Sequence, residues 1–312
     1  GIAIDGGKIK ISGGEISFNW GAGGIEYSGA DGGGIIARAG AVISMTDGAI
    51  SNNWTGGSGG GILLWCSTFT MSGGAISNNG ASFGGGIGMT SSGTSADGGP
   101  SSAEISGGTI SGNYAFYNSE NTLKPDGGYG GGICVGSDID GDNYKFYSHV
   151  KFSGEALVTD NYAQYGGGLA VYTRTKNSNA NYIQMSGGII TNNAAYSSVT
   201  EKGVTSARAS KQGDGIYFTS DHSSYTTGSA LLRLSGGAQV DSSNNVSFNF
   251  PEIKDPEPNR WGRSGNFTIA PISVDGTLSC SGVAALVTIN TTAVTNWDNV
   301  DLISGAGSQI NK

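Results

Sequence analysis

Short apolar stretches recur along the chain and are separated by glycine and asparagine. The clearest copy is 69–87, FTMSGGAISNNGASFGGGI, which contains an alternating stretch, a piece with Ile76 that ends in Asn-Asn, and a glycine run before Ile87. No piece is long enough to bury a face alone, and glycine or asparagine at each junction is typical of β-strands joined by tight corners. The pattern therefore predicts short strands that stack on copies of themselves.

Two motifs alternate along the chain and define a repeat. Ser-Gly-Gly followed two residues later by an apolar residue occurs at Ser12–Ile16, Ser72–Ile76, Ser106–Ile110 and Ser186–Ile190, with looser copies at Thr46–Ile50, Ser153–Leu157 and Ser235–Gln239. Gly-Gly-Gly-apolar occurs at Gly32–Ile35, Gly59–Ile62, Gly84–Ile87, Gly130–Ile133 and Gly166–Leu169, with Gly213–Ile216 as a variant. The uninterrupted unit has about 25 residues, a period typical of solenoids, propellers or arrays.

The unit predicts an all-β fold, a right-handed parallel β-helix (solenoid) of about seven coils with loop insertions. A propeller blade needs about 40 residues, and glycine and asparagine at this density disfavour helical repeats. Right-handed winding follows from the preference of parallel crossovers. The inward stacks are predicted to run through Ile50, Ile76, Ile110, Leu157 and Ile190, and through Ile35, Ile62, Ile87, Ile133, Leu169 and Ile216.

The asparagine pairs at the corners have a structural interpretation. Glycine and asparagine tolerate the left-handed backbone region better than other residues. We expect the pairs 52–53, 78–79 and 192–193 to stack into ladders whose amides bond along the helix axis.

These motifs carry a resemblance to known proteins. GGAI and GGGI, paired with S-N-N or G-N-x-A at Ser77–Ala81 and Ser111–Ala115, resemble the repeats of adhesin-like surface β-helix proteins of bacteria and archaea. They are also similar to the GGAI-type repeats of polymorphic outer-membrane proteins, with I-S-N-N in place of F-x-x-N. The resemblance covers roughly residues 1–245 and implies a coil at the cell surface or in the extracellular space.

The repeat is lost after residue 245, which predicts two regions. Residues 1–245 form the β-helix repeats, and 246–312 form an irregular proline-rich connection followed by terminal coils and a strand-rich cap. Three of the six prolines lie within 251–258, where they interrupt regular structure.

Charge excludes some partners. The net charge is −8 with a pI of about 4.7, so nucleic acid and anionic membranes are poor partners. No apolar run approaches transmembrane length, so no membrane insertion is expected. Cys66 and Cys134 are separated by more than a full coil, and we expect them to remain thiols.

Insertions expand the unit at two places, after the glycine-run strand and after the asparagine corner. All but one of the 13 tyrosines lie between Tyr114 and Tyr225, many of them in or beside these loops. Aromatic rings beside polar groups suit sugar or protein recognition, although tyrosine is also a good strand former that can cover a coil. The predicted ligand-binding residues are Tyr144, Tyr147, Tyr172 and Tyr182.

One acidic loop suggests a metal. Asp138, Asp140 and Asp142 alternate around Gly141 and resemble the first half of a dockerin-type calcium loop. His149 stands at the twelfth position, where that loop has an acidic ligand. We therefore expect no cofactor other than weakly bound calcium, and a solvated acidic loop is the alternative.

Parallel β-helices also include carbohydrate-active enzymes, which use carboxylates or a basic residue on neighbouring coils. Glu155, Asp160 and Asp214 each replace a residue of the repeat. Asp160 and Asp214 are expected to lie near each other, but corner substitutions are also tolerated in solenoids, and no catalytic residue is assigned.

The expected function is a non-enzymatic cell-surface or secreted protein, adhesin-like or structural, that presents tyrosine-rich loops to a glycan or a surface protein. Self-association along the coil axis is a further expectation. The alternative is a polysaccharide lyase or glycoside hydrolase with acidic residues on adjacent coils.

Overall fold

The computed structural model describes residues 1–21, 31–91, 99–116, 128–136, 148–173, 181–196, 198–201, 204–207, 213–220, 232–241, 243–250, 272–278, 287–291 and 303–304. These ranges contain strands and their connections and no helix. The all-β prediction is therefore confirmed for this part of the chain.

The strands are short and follow one another closely. The first twelve are β1 (Ile2–Asp5), β2 (Lys8–Ser17), β3 (Trp20–Gly21), β4 (Ile35–Arg38), β5 (Val42–Ser51), β6 (Trp54–Thr55), β7 (Ile62–Trp65), β8 (Thr68–Ser77), β9 (Gly80–Ala81), β10 (Ile87–Thr90), β11 (Ser102–Ser111) and β12 (Tyr114–Ala115). The next eight are β13 (Ile133–Val135), β14 (His149–Phe152), β15 (Leu157–Thr159), β16 (Tyr162–Ala163), β17 (Leu169–Thr173), β18 (Tyr182–Met185), β19 (Ile189–Thr191) and β20 (Ala194–Ala195). The last nine are β21 (Ser198–Glu201), β22 (Val204–Ala207), β23 (Ile216–Ser220), β24 (Leu232–Gly236), β25 (Gln239–Val240), β26 (Val246–Phe250), β27 (Ile272–Leu278), β28 (Val287–Thr291) and β29 (Ile303–Ser304).

Most of these strands form three parallel sheets, and successive strands along the chain belong to the three sheets in turn. Sheet A has the order β1-β4-β7-β10-β13-β17-β23-β26-β28, and sheet B has β2-β5-β8-β11-β14-β18-β24-β27-β29, with β15, β19 and β25 beside this path. Sheet C has the order β20-β16-β12-β9-β6-β3, and β21 and β22 form a separate antiparallel hairpin. We call one sheet A strand with the sheet B and sheet C strands that follow it a unit. Each unit hydrogen-bonds to the next, which is consistent with the predicted β-helix or solenoid.

The core lies between the sheets, and its register agrees with ten of the eleven predicted inward residues. Ile35 pairs with Ile62, and Ile50 pairs with Ile76, directly across adjacent strands. The ten are at most 1% exposed: Ile35, Ile50, Ile62, Ile76, Ile87, Ile110, Ile133, Leu169, Ile190 and Ile216. Because identical positions stack on one another, the repeat spacing alone places these side chains in the core.

The prediction for Leu157 is wrong by one residue. Leu157 pairs with Thr109 on the outer face, and Val158 pairs with Ile110 and is 1% exposed. The unit has one extra residue at its bend, where the Ala156 backbone N–H donates to the Ser153 carbonyl across a tight turn (3.4 Å) and Ala156 becomes buried.

The same extra residue occurs at Ser235–Gln239. Gln239 pairs with the outward Ile189, whereas Val240 pairs with Ile190 and is buried. From β14 onward the ten-residue strand of β5, β8 and β11 is divided into two shorter strands, also at β18 and β19, where no residue is added. A one-residue shift exchanges the two faces of a strand. Aligning the copy at Ser153 by its Ser-Gly dipeptide therefore assigned Leu157 to the core in place of Val158.

A continuous ladder of asparagines joins seven units. In the middle of the ladder, Asn79 Nδ2 donates to Asn113 Oδ1 at 2.9 Å, and the Asn79 backbone N–H donates to the same oxygen at 3.0 Å. Asn113 Nδ2 in turn donates to the Ile76 carbonyl at 2.9 Å and to Asn161 Oδ1 at 3.0 Å. The full ladder comprises Asn19, Asn53, Asn79, Asn113, Asn161, Asn193 and Asn244. The predicted ladder is thus present, and it uses the second asparagine of each pair.

The first asparagine of each pair forms the corner. Asn52, Asn78 and Asn192 have φ of 55°, 56° and 53°, in the left-handed region that asparagine tolerates. The first glycine of each glycine run also has a positive φ, as at Gly59 (72°), and the following glycines are required by the close approach of neighbouring units. A Cβ on Gly60, for example, would overlap the carbonyl oxygens of Gly80 and Gly85.

Strands beyond residue 245 extend two of the sheets. β26 and β28 continue sheet A, and β27 and β29 continue sheet B. The proline-rich segment 251–258 lies outside the described residues, and the boundary between 1–245 and 246–312 stays a prediction.

Candidate functional site: the cleft on sheet B

The outer face of sheet A is covered by a second layer of side chains. Leu63, Cys134 and Tyr217 point outward from this sheet, yet they are at most 2% exposed. Phe83, Tyr129 and Tyr165 pack over part of this face from the segment that enters sheet A, with ring centroids 5.8 and 4.8 Å apart along the column. Both faces of sheet A are therefore buried along this column.

Aromatic rings also form a ribbon along sheet C. Neighbouring rings lie mostly near parallel, as in the 5.5 Å, 15° pair of Tyr114 and Tyr162. The ribbon consists of Trp20, Trp54, Phe116, Tyr114, Tyr162 and Tyr196. Because each inner ring turns its faces to its neighbours, the ribbon mainly joins units together. Only its ends are well exposed, Trp20 at 58% and Tyr196 at 48%.

Sheet B differs because its outer face is open to solvent. Side chains in the first part of its strands alternate between buried and partly exposed positions, as in β14, which is the pattern of a sheet with one solvated face. A cleft of about 370 Å³ lies on this outer face. It is lined by Ser44, Met45, Thr70, Met71, Ser72, Glu104, Ile105, Ser106, Lys151, Phe152, Ser153, Gln184 and Ser186.

The bend at the Ser-Gly motif makes this face concave. One side of the cleft is a row of outward residues in register, from Ser44 through Thr70, Glu104 and Lys151 to Gln184. These positions span four strand spacings, about 19 Å. The cleft is therefore elongated along the direction in which the units stack.

The other side of the cleft is a row of serines at the bend. Ser106 Oγ donates to the Met71 carbonyl at 3.3 Å, and Ser186 Oγ donates to the Phe152 carbonyl at 3.4 Å. Each hydroxyl thus bonds to the preceding unit and still presents its oxygen as an acceptor. The row consists of polar, uncharged groups.

Charged and aromatic groups gather at one end of the cleft. Lys151 Nζ lies 3.2 Å from Glu104 Oε1 in a partly exposed ion pair. Next to it, the rings of His149 and Tyr182 stack with centroids 5.0 Å apart and planes at 5°. The Arg233 guanidinium lies 4.1 Å from the centroid of the Tyr182 ring, a favourable cation–π geometry.

The surroundings of His149 favour its neutral form. Burial lowers the pKa of His149 below its ordinary value. The positive charges of Lys151 and Arg233 lower this pKa further, whereas Glu104 raises it. The imidazole can therefore act as a hydrogen-bonding group without adding a charge to the cleft.

The predicted tyrosine sites fall in three places. Tyr172 is 5% exposed and belongs to the covered layer on sheet A. Tyr182 is 9% exposed and lies beside the cleft, between His149 and Arg233. Tyr144 and Tyr147 lie outside the described residues, and ligand binding by these tyrosines stays a prediction.

The three candidate catalytic acids do not line the cleft. Asp214 accepts hydrogen bonds from the Ala195 backbone N–H and from Asn245 Nδ2, both at 2.8 Å. Asp160 takes the left-handed corner position, with φ of 56°, and accepts a hydrogen bond from Asn192 Nδ2. Glu155 is exposed at its bend. The first two carboxylates therefore bond to corner and backbone groups of neighbouring units.

The remaining candidate chemistry is limited. Among the described residues, no three histidine, cysteine or acidic side chains are grouped to hold a metal ion; Asp138, Asp140 and Asp142 lie outside these residues. Cys66 and Cys134 are buried thiols, as expected, and burial raises the pKa of Cys134. Within the described ranges, no helix has the length and apolar character needed to cross a membrane.

Sequence reasoning missed the cleft because its residues are ordinary strand residues. The available signal was the register, which places Glu104 and Lys151 opposite each other once the repeats are aligned. Scans against protein-family models, curated proteins and solved structures found no match to this chain.

Proposed function

We propose that this chain is a right-handed parallel β-helix, with about seven coils over residues 1–245, that binds a glycan without chemical turnover. It is adhesin-like or structural and acts at the cell surface or as a secreted protein. The long parallel sheets support the coil, and the preference of parallel crossovers supports its handedness.

The elongated cleft on sheet B is the observation that carries the glycan proposal. Its walls present hydroxyls, an amide and one ion pair at repeated spacings over about 19 Å. Such groups suit a hydroxyl-rich polymer that lies along the stacking direction, since a linear glycan repeats its own donors and acceptors. A compact ligand would use only part of this length.

The insertions that precede β14 and β18 are proposed to add to this contact surface. The insertion 137–147 enters β14 at His149, and the insertion 174–180 enters β18 near Tyr182, so both join strands that border the cleft. Tyr144 and Tyr147 are proposed as ligand contacts, and Asp138, Asp140 and Asp142 as a weak calcium site in the same insertion. A surface protein in place of a glycan, and self-association along the coil axis, remain further proposals.

A carbohydrate-active enzyme is the second candidate. The observation in its favour is that Glu104 and Lys151 form an ion pair in the cleft, with His149 two residues before Lys151 on the same face of β14. General acid–base catalysis needs such groups within hydrogen-bonding reach of one substrate. Against it, Lys151 and Glu104 already form an ion pair.

The test combines a glycan array with a panel of soluble polysaccharides, followed by assays for new reducing ends and for unsaturated products. We expect binding without products, weakened several-fold by Gln184→Ala. Gln239→Ala is the matched control, because Gln239 is also a partly exposed glutamine on the outer face of sheet B but does not line the cleft. Turnover that disappears in Glu104→Gln while binding persists would establish the enzyme instead.

A further inference from the structure

The basic side chains of the described residues are concentrated on one face. The structure describes five of them: Lys8, Lys10, Arg38, Lys151 and Arg233. Arg38 lies on sheet A and pairs with Asp5 at 2.7 Å, whereas the other four point outward from the first part of the sheet B strands. The chain as a whole has a net charge of −8, so the concentration of positive charge on this face differs from the acidic character of the whole protein.

One of these cations, Lys151, lines the cleft, and Lys10 and Arg233 extend the same row by one strand beyond each end of the cleft. Lys10 pairs with Ser44 at one end of the cleft, and Arg233 pairs with Gln184 at the other end. Lys151 lies inside the cleft, about 19 Å from Lys10 and about 10 Å from Arg233 by strand spacing. Glu104 is the one acidic residue in this row from Lys10 to Arg233.

We infer that the cleft selects an acidic glycan, one that carries carboxylates or sulfates along its chain, over a neutral one. This inference rests on the proposed glycan-binding function and adds the chemical class of the ligand. Three cations along one row, one within the cleft and one beyond each of its ends, match a polymer with repeated negative charges better than a ligand with one charge.

The individual cations can take part in such binding. The Lys151 ammonium has three donors, and one of them is directed at Glu104, so donors remain for an anion in the cleft. The stack on Tyr182 holds the Arg233 guanidinium at a defined position, which lowers the entropy lost when it binds a carboxylate or sulfate. Lys10 is exposed and can contact the glycan at the far end of the row.

The same charges argue against other polyanions. Nucleic acid binding depends mainly on neutralising many closely spaced phosphates, and the net charge of −8 opposes long-range attraction of a densely charged polymer. A glycan with spaced charges and many hydroxyls fits both the cations and the serine row.

The test compares polygalacturonate with its fully methyl-esterified form, which has the same backbone without the charge, and adds dextran sulfate against neutral dextran. Affinity electrophoresis or calorimetry on the full chain is run at low and high salt. We expect the charged member of at least one pair to bind at least tenfold more tightly, and this preference to shrink as salt screens the exposed charges.

Variants locate the effect. Lys151→Gln and Arg233→Gln should each weaken binding of the acidic polymer about tenfold. Lys10→Gln tests an exposed position where misfolding is not a concern, and Arg38→Gln is the matched control, with the same charge change on sheet A. Thermal melts of all four variants verify folding.

The outcomes separate the two proposals. Equal binding of charged and neutral partners, lost in Gln184→Ala, would overturn the charge preference and keep the glycan proposal. An equal loss in Arg38→Gln and Lys151→Gln would mean that overall charge, and not the cleft, determines binding, and would overturn the inference. Binding of no polysaccharide at all, or tighter binding of duplex DNA than of either acidic glycan, would overturn both.

Discussion

Sheets A and B are built from the same repeat, yet their outer faces differ. On sheet A the outward residues Leu63, Cys134 and Tyr217 are buried, and phenylalanine and tyrosine rings of the preceding corner pack against Cys134 and Tyr217. On sheet B the outward residues Thr70 and Lys151 remain partly exposed and line a cleft. Strand alternation is thus common to both sheets, and the neighbouring corner decides which face solvent can reach.

This difference separates stability from recognition. A sheet buried on both faces gains hydrophobic energy on both, so its outward positions are constrained by packing. A solvated face is free to carry charged and hydroxyl groups at little cost in stability. The proposed binding face is therefore the one whose side chains contribute least to the stability of the fold.

The largest expected effect comes from truncating an outward residue of sheet A. Leu63→Ala should lower the free energy of unfolding by about 2–5 kcal/mol, as much as Ile76→Ala in the core, because both leave a cavity in a buried site. Chemical denaturation monitored by circular dichroism measures it.

Thr70→Ala is the matched control on sheet B. Since Thr70 is partly exposed on the outer face, we expect a change within about 0.5 kcal/mol. A small loss for Leu63→Ala, close to that of Thr70→Ala, would show that burial of the outer face of sheet A at Leu63 does not contribute to stability.

A second pair tests the two faces within one strand. Val158→Ala should cost about 1–3 kcal/mol, since it removes buried methyl groups, whereas Leu157→Ala should cost less than about 1 kcal/mol although it removes more atoms. The same denaturation experiment ranks them. The reverse order would restore Leu157 to the core and contradict the extra residue at this bend.

The smallest expected effect is the pH dependence due to His149. Its pKa is lowered in the folded state, so at pH values between the folded and unfolded pKa the unfolded chain binds more protons. Stability from this group is therefore present above about pH 6.5 and is lost as the pH falls below it. For a half-buried imidazole we expect less than about 1 kcal/mol.

Urea midpoints of the wild type and His149→Gln at mildly acidic and neutral pH measure this term. The variant should lose less stability on acidification than the wild type. An equal loss in both proteins would assign the pH dependence to other groups, and a stabilisation of the wild type by acid would contradict the direction of the shift.

The interior of the fold was largely predictable from the sequence. Strict copies such as 69–87 repeat one spacing, and a parallel stack turns equal spacing into equal orientation, so Ile62, Ile76 and Ile87 could be assigned to the core. The asparagine ladder followed from the same argument. The assignment of Leu157 was wrong where the spacing changed by one residue, since periodicity carries no information about an insertion inside a bend.

The cleft and the covered face could not be read from the repeat, because they depend on what lies beside each strand. Tyr172 and Tyr182 look alike in the sequence, but one is in the layer over sheet A and the other supports Arg233 beside the cleft. Lys10, Lys151 and Arg233 are far apart along the chain, and only the stacking of units brings them into one row. Spacing along the chain sets which way a side chain points; packing between units sets what it meets there.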